Sequence, residues 1–205
     1  MSKSGRIFAL KKMTVRPFIY MLSICLSAAG SANQSTMPNG AEQLTQALAQ
    51  LQRAPDDRKV QERYLDAFPQ TYKSFLELFD FNHPLYDGHE YVETLYSLVG
   101  SHELEVGRLL VQLSKDAHYD ADAPSYLQNA TATFGSQHIE IFLALLKQLP
   151  VGKQANLITF LADVENHQAY PEYQLIIDHL KALDERSFAR KFEAARAKRS
   201  RQPHD

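Results

Sequence analysis

IEIFLALLKQL, residues 139–149, is apolar nearly all the way round. A helix without a wide polar face belongs inside a protein. The stretch therefore predicts a buried central helix with other elements packed around it. Downstream, Pro150 and Gly152 lead into QANLITFLADVEN, whose apolar stripe is Leu157, Ile158, Leu161 and Val164. Pro171 opens PEYQLIIDHLKAL, with Tyr173, Ile176, Ile177, Leu180 and Leu183 expected inward. A last helix over about 185–199 keeps a thin stripe of Phe188, Phe192 and Ala195.

The upstream chain follows the same three-and-four spacing. Residues 41–54 form a weakly amphipathic Ala/Gln-rich helix. Pro55, Asp56 and Asp57 open the next one, through Val60, Tyr64 and Leu65. Pro69 suits the first position of a helix with Tyr72, Phe75, Leu78 and Phe79 on its apolar face. Asp87-Gly88-His89-Glu90 has the form of a capping box, starting a helix expected to stop at a left-handed Gly100. Ser101 is expected to cap a helix carrying Val106, Leu109, Leu110 and Leu113. Asp122 and Pro124 open a short helix ending near Phe134-Gly135, and Ser136 caps residues 139–149.

No segment alternates with period two over the length of a strand, and the single Asn-Gly pair, at 39–40, lies in a polar stretch. The expected fold is all-α: about ten short helices in an irregular, solenoid-like array of helical hairpins, forming one domain over 41–199 with a polar tail at 200–205.

Residues 1–32 contain no acid and five basic residues, followed by the apolar run FIYMLSICLSAA and the small residues Gly30-Ser31-Ala32. That order is the pattern of a cleavable secretory leader. Its apolar run is about a dozen residues, short of the roughly 20 needed to cross a bilayer. Cleavage after Ala32 is expected, with 33–40 as a disordered linker, and Met13 opens a tidier leader than Met1. Cys25 is preceded by Ile24, where a lipoprotein site has a small residue. The expected location is outside the cytoplasm, periplasmic or extracellular, with no membrane span remaining after cleavage.

The chain has 22 Lys and Arg against 24 Asp and Glu; without residues 1–32 it has 17 against 24, a formal charge of −7. That balance argues against nucleic acid as a partner. Cys25 is the single cysteine, so the mature chain has no disulfide, thiol nucleophile or thiolate metal ligand.

FLELFDFNHPLYDGHEY, LSKDAHYDADAPSYLQNATATFG and LITFLADVENHQAYPEYQLIIDHLKAL are distinctive stretches. Through them, the chain from about Phe68 to Arg199 resembles a group of small exported all-helical bacterial proteins to which no catalytic residue is assigned. The resemblance implies export and helices, and no site.

Candidate chemistry must come from the side chains. Three segments between helices mix Tyr, His and acids: 82–91, 116–126 and 163–173. His83, Asp87, His89, His118, Asp120 and Asp122 come from the first two, which an up-and-down array brings to one edge; the third falls on the opposite edge. Asp120-x-Asp122 matches one piece of a calcium loop, but the remaining ligands are missing, and no complete metal motif occurs. Neither a cofactor nor a catalytic set is expected. Glu165 and His167 form a conceivable acid/base pair without a nucleophile beside them. The basic stretch from Arg186 to Arg201 reads as a solvated last helix, with an acidic partner or anionic lipid as the other option. Asn129-Ala130-Thr131 is a sequon inside a predicted helix. The expected function is an exported, non-catalytic binding protein, inhibitor-like or immunity-like, for a protein or small molecule. The alternative is a metal-dependent hydrolase using the His/Asp loops.

Overall fold

A computed structural model describes residues 40–81, 83, 85, 86, 88–118, 123–164 and 170–201. Among the described residues there are ten helices and no strand: α1 (Gly40–Arg53), α2 (Arg58–Ala67), α3 (Tyr72–Phe79), α4 (His89–Ser97), α5 (Val99–Ser114), α6 (Ala123–Gln137), α7 (Ile139–Gln148), α8 (Val151–Ala162), α9 (Pro171–Ala182) and α10 (Arg186–Arg199). The chain is all-α, as its periodicity predicts.

Local chemistry sets the boundaries, and several differ from the expected ones. Asp57 caps α2 as predicted, its carboxylate accepting from Lys59 N–H at 2.9 Å and Val60 N–H at 3.3 Å. The helix ends at Phe68, which is extended (ψ 144°) because it precedes Pro69. Pro69 does not open α3. Thr71 does, in a reciprocal capping box with Ser74.

The N-cap of α4 is Gly88, which lies in the left-handed region at φ 55°, and a Cβ there would meet the Phe79 ring at 2.9 Å. Gly100 does not end α4 but is helical within α5, so Ser101 caps nothing. The break comes at His102 instead, whose φ −137° and ψ 45° kink α5. Ser136 lies inside α6, and His138 takes the N-cap position of α7.

The centre of the molecule is α6, which packs against α4, α5, α7, α8 and α9. Its sequence, APSYLQNATATFGSQ, is rich in small residues. That composition lets neighbouring helices approach closely, at the cost of the strong apolar signal a buried helix normally shows. The Phe134 ring fills a notch left by Gly107 of α5, and Gly135 lies against Ile176 and Phe142. Ser114 and Thr131 join hydroxyls at 2.8 Å inside the core, and Thr131 donates back to Leu127 O.

The stretch expected at the centre, α7, is partly a surface helix. It buries Phe142, Leu143, Leu145 and Leu146, while Glu140, Ala144, Lys147 and Gln148 are exposed. Leu183, expected inward, is 41% exposed just past α9. The predicted stripes of α3, α5, α8 and α9 are otherwise buried. Contacts reach beyond sequence neighbours, with α5 touching α8 and α6 touching α9. No described helix is long and apolar enough to cross a membrane.

Candidate functional site

The α4 residues His89, Val92, Glu93 and Tyr96 share one helix face, as do Tyr126 and Asn129 of α6. The two faces line a groove of about 340 Å³. Gly88 starts α4 and Ala123 starts α6, so the groove begins where the segments 82–91 and 116–126 end. His89 and Tyr126 meet there with ring centroids 4.6 Å apart. His89 Nε2 lies 2.8 Å from the Glu93 carboxylate, one turn along. Val92 and Ala130 supply the apolar floor.

Tyr96 closes the far end, its hydroxyl 2.9 Å from Gln137 Oε1. Burial pushes the Tyr96 phenol above its ordinary value, so it stays a neutral hydrogen-bonding group. Ser97 also lines the groove, but its hydroxyl donates to Thr94 O at 2.7 Å rather than to His89. Among the described residues, Ser97 is therefore not placed as a nucleophile for the His–Glu pair. What the groove offers is an aromatic wall, an apolar floor and a few polar groups, the make-up of a binding cleft.

Two of the other predicted residues, His83 and His118, are described. His83 is half-buried in the turn after α3, its backbone N–H on Asp80 O and its carbonyl accepting from Tyr86 N–H. His118 is exposed and meets the edge of Tyr72, whose hydroxyl donates to the His118 carbonyl at 3.1 Å. His118 thus sits against α3, while His89 sits against α6. Asp87, Asp120 and Asp122, like Glu165 and His167, lie outside the described residues. Among the described residues no group of three or more His, Cys, Asp or Glu is placed to hold a metal ion.

The first described residue of the third segment, Asp163, lies beside α6. Gln128, early in α6, donates its amide to the carbonyls of Phe160 and Asp163 at 2.5 and 3.0 Å. This ties the end of α8 to the start of α6. Asp163 also pairs with Arg199 at 2.6 Å. Arg196 bonds to Gln174, and Lys191 sits 4.5 Å over the Phe188 ring, so several cations of the last helix are spent within the molecule. Tyr173 is buried with its hydroxyl on Phe192 O at 2.8 Å, and burial pushes its phenol far up. The sequon is structural, since Thr131 is fully buried.

Sequence reasoning missed a second cleft, about 360 Å³ between α2 and α5, with the kinked His102 among its lining residues. A signal existed: Glu62 and Asp66 repeat at helical spacing, as do His102, Glu105 and Arg108. On its own, such a pattern reads as a solvated face. No family model, curated protein or solved structure matches this chain.

Proposed function

We propose that this chain is an exported, non-catalytic binding protein and that the α4/α6 groove receives its ligand, a planar or aromatic group of a protein segment or small molecule. The observation that carries this is the wall formed by exposed His89 and half-buried Tyr126 and Tyr96 over an apolar floor. Aromatic rings of this kind contribute large contact area at small entropic cost, with polar tips for orientation. The acid-free leader supports export, and the charge of −7 that follows it favours a partner other than nucleic acid.

The test is affinity capture from an envelope extract with the processed protein and with a Tyr96→Ala/Tyr126→Ala variant of unchanged circular dichroism. A partner or small molecule is expected on the wild type and lost from the variant. Equal recovery would remove the groove from the proposal. Mass spectrometry of the processed protein should show Asn33 as its first residue. An intact Met1 or Met13 terminus on cytosolic material would overturn export. Stoichiometric zinc or calcium, lost on replacing Asp120 and Asp122 with Ala, would overturn the non-catalytic role.

A further inference from the structure

His102 is 3% exposed, yet it lines the cleft between α2 and α5. Its tautomer follows from its neighbours. The Gln61 amide nitrogen donates to Pro55 O at 2.6 Å, which turns Gln61 Oε1 toward His102 Nε2 at 2.9 Å. That oxygen can only accept, so in the neutral imidazole Nε2 carries the proton and Nδ1 keeps its lone pair. Among the described residues Nδ1 has no hydrogen-bond partner, and it is not sealed off from solvent. The kinked His102 forms part of the cleft wall, and the Gln61–Pro55 relay holds its ring.

The rest of the lining is rich in acceptors. Asp66 and Glu105 make no ion pair or hydrogen bond among the described residues. The Gln70 amide nitrogen is committed to Leu65 O and Phe68 O, leaving its oxygen to accept. Glu62 is paired with Arg58 at 3.1 Å. Arg108 is the cleft's other guanidinium, and it has no partner among the described residues. Such a cleft calls for a ligand with one N–H-rich cationic end and one anionic end. Its volume of about 360 Å³ is near the lower limit for small-molecule sites.

We propose that the α2/α5 cleft is a second binding site, taking an amine-bearing zwitterion of amino-acid or dipeptide size. The ammonium lies against Asp66 and Glu105, within reach of His102 Nδ1, and the carboxylate lies against Arg108. The site stands independently of the α4/α6 groove.

The experiment is ligand-detected NMR on the processed protein with the twenty free L-amino acids and the twenty X–Ala dipeptides as probes. At least one probe is expected to bind. Asp66→Asn/Glu105→Gln and Arg108→Ala, all at exposed positions, should each weaken that probe about tenfold or more, the worth of one charge-assisted hydrogen bond. Acetylating the probe's amine should do the same, and Tyr126→Ala should leave binding unchanged. Three results would overturn the proposal: no probe binding at millimolar concentration, binding indifferent to both cleft variants, or binding lost on Tyr126→Ala instead.

Discussion

Gly107 and Gly100 stand two turns apart on one helix and carry opposite expectations. A Cβ on Gly107 would lie 2.3 Å from Cζ of Phe134, a fully buried ring. Alanine normally gains about 1 kcal/mol over glycine inside a helix. Here the displaced atom belongs to a ring locked in the core, and overpacking of that kind costs about 1–3 kcal/mol. The clash wins, so Gly107→Ala should lower the urea midpoint. Gly100 has nothing within 4 Å of a Cβ and helical backbone angles. Gly100→Ala should stabilise the protein by about 0.5–1 kcal/mol. Had Gly100 been the left-handed cap its position suggests, alanine would destabilise, so the sign of this one measurement separates the two arrangements.

At the scale of the element, caps were partly legible and kinks were not. Asp57 was readable because a carboxylate just before an apolar-periodic run meets unpaired N–H groups whatever lies around it. Asp57→Ala should cost about 1 kcal/mol, read as a shift in chemical denaturation with an unchanged denaturant slope. The break in α5 had no such signal. Gly100 and Ser101 looked like an end and a start, yet the backbone stays helical through both and turns at His102. Its bond to Gln61, 41 residues away, accompanies that turn, and local sequence does not report such a contact. Half of the α4/α6 groove was legible for the same reason. His89 and Tyr126 were marked by their segments, whereas Tyr96, a turn further along, looked like one more amphipathic position.

At the scale of the molecule, one charged cluster fastens the chain before α6 to α8. Asp116 pairs with Lys115 beside it and with Lys153 at 2.6 Å. Asn156 donates to the carbonyls of Lys115 and Ala117 at 2.9 and 3.0 Å. Burial pushes the Asp116 carboxyl up, but the hydrogen bonds and positive charge of Lys115 and Lys153 outweigh it and hold it below its ordinary value. A carboxyl whose folded pKa is lowered stabilises the fold only when ionised. Its contribution is complete above the ordinary carboxylate range and fades as pH falls through the lowered folded value. Wild type and Asp116→Asn should therefore differ in denaturation midpoint at neutral pH and converge in strong acid. A difference that persists unchanged in acid would rule out the ion-pair origin.

Periodicity and helix-end residues determined that this chain is helical, that its described residues form about ten helices, and which apolar residues α3, α5, α8 and α9 bury, because a 3.6-residue apolar stripe has to face a core whatever the neighbours are. The tertiary structure decided which helix sits at the centre. IEIFLALLKQL carries the strongest apolar signal, yet APSYLQNATATFGSQ takes the middle. Five neighbours can crowd around a helix only where its side chains are small, and small side chains contribute little hydropathy. The same holds for both clefts: each is made of two ordinary-looking polar stripes, and becomes a site only when the packing of other helices sets the two faces opposite one another.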